Sequence, residues 1–356
     1  MSSIDFLSEK AISLLKQLIA TPSYSKEEDG TAQLLVEALK EFGFEPNRTL
    51  NNVWAKSKNF DPAKPTVLLN SHHDTVKAGK SWNYDPFIPT LEDDKLTGLG
   101  SNDAGGPLVS LLYTFIYLDD KERSYNLIFA GTAEEENSGI NGVRAILDEI
   151  GEISFGVVGE PTQMNMAIAE KGLVVLDCEA HGKTGHAARN EGENAIYKAL
   201  QDIEWFKTYQ FPEVSDVLGA VHMCVTQIEA GQQHNVVPDS CKFVVDVRTN
   251  ECYTNAEAVE HIRERVQSEV TPRSLNLCSS QIALDHPIVL KGKELGLTAY
   301  GSDAMSDQTH MPFPTLKIGP GDTRRSHTPD EYIYLSEIKH GIQIYINLLE
   351  GLQIDG

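Results

Sequence analysis

The chain has 356 residues, 40% hydrophobic and 23% charged, a globular composition long enough for about two domains. Its 52 acids against 30 Lys and Arg leave a net charge of −22, a field that repels phosphate backbones, argues against a nucleic-acid partner and gathers cations, divalent metals included. The opening Met1-Ser2-Ser3-Ile4-Asp5 has no basic or apolar leader and no apolar run reaches membrane length, so neither a secretory signal nor a membrane partner is expected. Five scattered cysteines without a CxxC read as reduced thiols of a cytoplasmic protein, so a metal site would have to use His and carboxylates.

In chain order, residues 3–20 carry apolar side chains at helical spacing, and a second amphipathic helix over 26–42 stops at Gly43, where a left-handed cap costs little. Residues 65–69 read as a short buried strand, 105–118 as a helix, 126–130 as a buried strand, 139–150 as a helix and 155–158 as another strand. Helices alternating with fully apolar strands imply an α/β sheet covered on both faces. Near Gly172 the pattern changes. Residues 173–180 alternate sides, 224–229 and 242–248 alternate more weakly, and helices are expected over 194–206 and 256–270, an antiparallel sheet with helices on one face. Buried strand signals return at 315–318, and the chain ends in a helix over 335–349. The expected fold is therefore an α/β catalytic domain (1–172 and 283–356) with an α+β domain (173–282) inserted in it.

Five short segments stand out, most of them where a buried strand ends, the place where open α/β sheets bind ligands. They are Ser71-His72-His73-Asp74, Ser101-Asn102-Asp103-Ala104-Gly105-Gly106, Thr132-Ala133-Glu134-Glu135-Glu136, Gly159-Glu160-Pro161, and Gly319-Pro320-Gly321-Asp322 followed by His327. Imidazoles and carboxylates converging from separate strand ends suit divalent ions, and two ions about 3.5–4 Å apart need a carboxylate to bridge them and a free one as general base. Each piece alone has a plainer reading: a surface His-x-Asp pair, an acidic helix start, a turn aspartate, a cap, a surface histidine. Together, in this order, they point to a metal site. The three consecutive glutamates leave the assignment of base and ligand open by one residue.

Across essentially the whole chain these motifs resemble the zinc-dependent deacylase/peptidase family that includes acetylornithine deacetylase, succinyl-diaminopimelate desuccinylase, aminoacylase and glutamate carboxypeptidase. The resemblance implies a mixed-sheet catalytic domain with helices on both faces and an inserted lid/dimerisation domain. It implies that His72, Asp103, Glu136, Glu160 and His327 bind two divalent ions, zinc or cobalt, with Asp103 bridging, Asp74 orienting His72 and Glu135 as base. His73 is expected to be a bystander. It also implies a cis peptide after Asp103, although Asp103-Ala104-Gly105-Gly106 departs from the Asp-Met-Lys-Gly of many members.

In the inserted segment, Gly182-Lys183-Thr184-Gly185-His186 resembles a lid motif whose His donates to the substrate carbonyl, in relatives from the partner subunit of a dimer. By the same resemblance, Asn235 in Asn235-Val236-Val237-Pro238 would contact substrate, and Arg248 has the fork suited to a substrate carboxylate. Two Ser-Asp pairs, Ser302-Asp303 and Ser306-Asp307, both resemble one near the family's pocket. The expected activity is hydrolysis of a small N-acyl amino acid, N-acetylornithine in arginine biosynthesis or an N-acyl relative such as N-succinylornithine or an N-acylcitrulline. Trp82 to Phe87 resembles the deacetylase branch. A di- or aminopeptidase on the same scaffold is the alternative.

Overall fold

The computed structural model describes residues 3–189 and 191–354. The chain divides into two compact units, one made of the residues up to Ile168, Gln281–Tyr300 and those from Ser306 on, the other of Ala169–Ser280 with Gly301–Met305.

The first unit opens with helix Ile4–Ile19, capped by Ser3, whose Oγ accepts from the main-chain N–H of Phe6 at 3.2 Å. Helix Asp29–Glu41 follows and is terminated by Gly43 in the left-handed region (φ +76°). The central sheet runs in the order Asn47–Thr49, Asn52–Lys56, Asn126–Thr132, Thr66–His72, Phe155–Val158, Thr315–Lys317, Met166–Glu170, Ser280–Gln281, and Ala299–Ser302 also pairs with Met166–Glu170. The four strands Asn126–Thr132, Thr66–His72, Phe155–Val158 and Thr315–Lys317 are mutually parallel, while Asn52–Lys56 and Met166–Glu170 join antiparallel, making the sheet mixed.

Every residue of those four parallel strands is buried, which is why they are uninterrupted rather than alternating. On one face Phe129 packs against Phe115 of helix Gly106–Asp119, ring centroids 6.1 Å apart. On the other, Leu68, Ile128, Ala130 and Val158 form a cluster with Val143, Ile146, Ile150 and Ile153.

The expected helix over 139–150 does not form as one element. It is a short 3₁₀ turn, Val143–Ala145, and one α turn, Leu147–Ile150. Gly139 and Gly142 are the cause: a Cβ at Gly139 would stand 2.0 Å from Glu134 Oε2 and one at Gly142 2.4 Å from the Ala133 carbonyl, so this stretch folds back onto the glutamate turn.

The second unit holds a four-stranded antiparallel sheet ordered His222–Ala230, Ser240–Thr249, Gly172–His181, Glu269–Pro272. Val174, Leu176, Cys178 and Ala180 share a buried face with Phe243, Val245 and Val247, and Ala199 and Phe206 of helix Ala195–Thr208 and Val259 and Ile262 of helix Asn255–Arg263 cover it. A register shift between Val225 and Gln227 accounts for the weak alternation of the edge strand. The expected helix over 256–270 ends at Arg263. The Asp202 carboxylate accepts from the main-chain N–H of Gln267 (3.1 Å) and Ser268 (2.8 Å), turning the chain into strand Glu269–Pro272. The five cysteines form no disulfide, and among the described residues no helix is long and apolar enough to cross a membrane.

Candidate metal centre

The parallel strands end at one edge of the first unit's sheet, and each feeds a polar side chain or the loop that bears one. His72 is the last residue of its strand. Strand Asn126–Thr132 leads into the glutamate turn, Phe155–Val158 into Glu160, and Thr315–Lys317 into the loop that reaches His327. Asp103 comes from the turn before helix Gly106–Asp119, and the Asp103–Ala104 peptide is cis. Gly105 follows because a Cβ there would meet the Gly100 carbonyl at 2.3 Å.

These side chains fall into two groups with Asp103 in both. His72, Asp103 and Glu160 form one, Asp103, Glu136 and His327 the other, each offering ligand atoms within 4.8 Å of one another. Asp103 Oδ1 lies 3.2 Å from His72 Nε2, and its Oδ2 lies 3.5 Å from His327 Nε2. The carboxylate therefore shows one oxygen to each histidine. Glu136 Oε2 lies 2.9 Å from His327 Nε2, and Glu160 Oε1 is 3.8 Å from His72 Nε2.

The three consecutive glutamates face different partners. Glu134, in left-handed backbone (φ +55°), is buried and accepts from Asn141 Nδ2 at 3.0 Å. Glu135 turns toward His72 (Oε2 to Nε2, 3.9 Å) and Glu136 toward His327. The main-chain N–H groups of Glu135 and Glu136 both donate to the Asp74 carboxylate, at 3.0 and 3.2 Å, and Ser25 Oγ donates to it at 2.7 Å. His72 Nδ1 is 3.0 Å from the Asp74 carbonyl and 3.4 Å from its carboxylate. Asp74 thus holds both the imidazole and the glutamate turn.

Electrostatically the cluster is short of positive charge. Burial, with Asp103 and Glu136 adding to it, pushes Glu160 up to about 8 against the pull of His72. Burial also lifts Glu135 well above the usual carboxylate range, and Glu160, Asp307 and Glu136 repel its charge further. His327 is raised to about 9, chiefly by its bond to Glu136. Burial disfavours the His72 imidazolium, but Glu135, Asp103, Asp74 and Glu160 outweigh it and raise the group well above its ordinary value. Two imidazoles among so many carboxylates, arranged as two sets around a shared one, suit a pair of divalent cations.

His73 points elsewhere: Nδ1 is 2.8 Å from Thr31 Oγ1 and Nε2 2.9 Å from the Asn51 carbonyl. Of the two Ser-Asp pairs, Asp307 is buried beside the cluster, where its Oδ2 accepts from Thr132 Oγ1 at 2.6 Å. Asp303 is exposed and ion-paired with Lys171 at 2.8 Å in the second unit.

The other three residues singled out also lie in the second unit. His186 is exposed and pairs with Val236 across a two-residue ladder, and the Ala187 N–H donates to the Asn235 carbonyl at 3.1 Å, so the two lid motifs meet. Arg248 is half-exposed, and its fork is occupied by Asp246 on the same strand, at 2.8 and 3.1 Å.

Sequence reasoning missed Glu28 and Glu331. Glu28 is buried and accepts from the main-chain N–H of Glu134 (3.3 Å) and from Asn51 Nδ2 (2.8 Å); in the sequence it looks like part of an acidic helix start. Glu331 is buried under the Asp103 turn, and its only sequence signal is an acid four residues after His327.

A family model, Peptidase family M20/M25/M40, matches residues 68–351, most of the chain. The chain belongs to this family. It is thereby a hydrolase of the M20 peptidase group. It is 24% identical over 371 residues to succinyl-diaminopimelate desuccinylase of Orientia tsutsugamushi strain Boryong, with 95% of each chain covered. It is 26% identical over 379 residues to acetylornithine deacetylase of Shigella sonnei, covering 95% of this chain and 96% of the relative. Among solved structures, aminopeptidase PepT of Bacillus cereus superposes with a TM-score of 0.76 at 18% identity, over 96% and 98% of the two chains. A Bacillus subtilis protein described as a dinuclear metal-binding peptidase of the M20 family does so with a TM-score of 0.71, also at 18% identity, over 96% and 97%.

Proposed function

We propose that this M20 hydrolase is a two-metal amidohydrolase that removes the acyl group from a small N-acyl amino acid, with N-acetylornithine, a step of arginine biosynthesis, as the favoured substrate. The ions are zinc, with cobalt able to substitute, and the setting is cytoplasmic. The observation that carries the reading is Asp103, one carboxylate with an oxygen toward each of two His-carboxylate sets. His72, Asp103 and Glu160 would hold one ion, and Asp103, Glu136 and His327 the other.

A divalent pair in that place supplies an acidified water and polarises the acyl carbonyl. The chain does the rest. Glu135, not engaged by His327 and held by burial well above the usual carboxylate range, takes the proton from the attacking water and passes it to the leaving nitrogen as the C–N bond breaks. His186 of the lid donates to the acyl oxygen, Asn235 contacts the substrate, and Arg248 exchanges Asp246 for the substrate carboxylate.

The test is a panel of N-acetyl and N-succinyl ornithine, citrulline and diaminopimelate beside di- and tripeptides, with zinc or cobalt added. Preferred turnover of N-acetylornithine supports the reading. Preferred turnover of peptides would replace the substrate by that of a di- or aminopeptidase, and no turnover of either class would remove the activity.

Metal uptake should displace protons. Glu160 moves from an ordinary 4.5 to about 8 and His327 from 6.5 to about 9, so the folded metal-free protein binds more protons than the unfolded chain. Its stability is then fullest below about pH 4.5 as far as these groups go, and it is lost as pH rises through about 8 and 9. With chelator present, the Tm should fall between pH 6 and 9, and added zinc should restore it most at the high end, where no proton competes. A Tm flat across that range with chelator would contradict this.

The lid also supports a homodimer. Strand His222–Ala230 is last in its sheet, and Ile228 on it and Tyr197 and Leu200 on helix Ala195–Thr208 are exposed. Light scattering should find a dimer, and Tyr197→Glu with Leu200→Glu should give monomers. A monomeric parent protein would rule it out.

A further inference from the structure

We infer that Glu331 is a positioning residue that fixes the shared carboxylate Asp103 relative to His327, a reading that rests on the two-metal proposal above. Its side chain is 1% exposed, and one oxygen, Oε1, accepts the main-chain N–H of Asn102 at 2.8 Å and that of Asp103 itself at 2.9 Å. The turn it grips cannot satisfy these donors within itself. Gly100 is left-handed (φ +73°), and the backbone at Asp103 and Ala104 is not helical, so the two N–H groups have no ladder or helix to enter.

Glu331 is itself anchored. It leads into strand Tyr332–Tyr334, which pairs with Lys95–Thr97, and its carbonyl accepts the Gly98 N–H at 2.9 Å. A second tie runs the same way: Asn102 Oδ1 accepts the Asp322 N–H at 2.9 Å, and its Nδ2 donates to the Asp322 carbonyl at 3.1 Å and to Ser326 Oγ at 3.2 Å. Segment 322–331, which carries His327, is thus bound on both sides of that histidine to the turn that carries Asp103. Both bonds to Oε1 come from main-chain N–H groups, so what the position requires is an acceptor of the right reach. A buried carboxylate is an expensive acceptor for neutral main-chain donors, the Gly100 N–H being a third, and its retention is accounted for by the geometry it imposes.

The experiment uses the full chain, stripped with chelator and titrated with Zn²⁺ or Co²⁺ alone, for the parent protein and for Glu331→Ala, Glu331→Gln and Glu331→Asp. Affinity for the ions in Glu331→Ala should fall about 10–100-fold, with a changed Co²⁺ visible spectrum. Glu331→Gln, whose amide oxygen still accepts both N–H groups, should stay within a few-fold of the parent. Should Glu331→Ala not fold, Glu331→Asp reads the same point, because a side chain one methylene shorter loses the reach, and it should bind more weakly. Parent-like titration and spectrum in Glu331→Ala or Glu331→Asp, even with a lowered Tm, would make the residue merely structural and overturn the inference. Equal loss in Glu331→Gln and Glu331→Ala would overturn it too, by showing that charge rather than reach is needed. A parent protein that takes up fewer than two ions per chain would instead sink the two-metal reading, and this inference with it.

Discussion

Replacing Glu135 by Gln should lower kcat by about 10²–10⁴-fold while two ions per chain stay bound. The division of labour inside the glutamate turn is the reason. Glu136 makes the 2.9 Å contact with His327, whereas Glu135 stands 3.9 Å from His72 and belongs to neither ligand group. Its main-chain N–H is tied to Asp74 at 3.0 Å, a bond the substitution does not touch. Gln has the same shape, so no cavity opens and no ligand moves. What is lost is the ability to take a proton, and burial beside Glu160, Asp307 and Glu136 raises that carboxyl well above its usual range, which makes it a stronger base than a free glutamate. Metal content by mass spectrometry alongside single-turnover rates separates base from ligand. An active Glu135→Gln protein would place the proton transfer elsewhere, and an inactive one that had lost an ion would make Glu135 a ligand.

The parts of this site that can be read from the sequence are those that leave a residue-type pattern. Uninterrupted apolar runs announce strands buried on both faces, and a polar side chain directly after such a run announces a strand end; His72 and Glu160 are legible for that reason. The order of work within Glu134-Glu135-Glu136 is not legible, because it depends on Glu134 turning left-handed and away to Asn141. The helices expected over 139–150 and 256–270 fail for tertiary reasons, the close approach of Gly139 and Gly142 to the glutamate turn and the capture of the Gln267 and Ser268 N–H groups by Asp202.

The supports are only partly legible: Asp74 stands in the His72-x-Asp74 spacing, whereas Glu28 and Glu331 leave no such pattern. Asp74, Glu28 and Glu331 each accept main-chain N–H groups from a turn that carries the cluster: Glu135 and Glu136 on Asp74, Glu134 on Glu28, Asn102 and Asp103 on Glu331. A main-chain donor exists at nearly every residue and so marks none of them. Each of these turns is irregular backbone that neither sheet nor helix can satisfy, and in each case a buried carboxylate from a distant segment replaces the missing ladder. Rigid placement of the carboxylates that face the cluster comes from this arrangement, since the strands only deliver the chain to the right edge.

Asp103→Asn should cost one of the two ions and most of the activity. Asp103 is common to both ligand groups, with Oδ1 toward His72 and Oδ2 toward His327. The amide keeps a single oxygen. Its NH₂ end must face one of the two sets and cannot ligate, so one ion per chain should remain where the parent protein holds two. Withdrawing one ion of the pair removes several kcal/mol of transition-state stabilisation, which corresponds to a fall of about 10³-fold or more in kcat. Asp103→Ala goes further, because each set then keeps only one imidazole and one carboxylate, too few to hold an ion with a full complement of protein ligands. The measurement is metal stoichiometry by equilibrium dialysis together with kcat, and the informative contrast is between the two variants: a stepwise loss from two ions to one to none belongs to a bridging carboxylate. If Asp103→Asn still bound two ions with the parent's affinity, the bridge would have to be another group, and the assignment of two sets sharing Asp103 would be wrong even though its five side chains lie together.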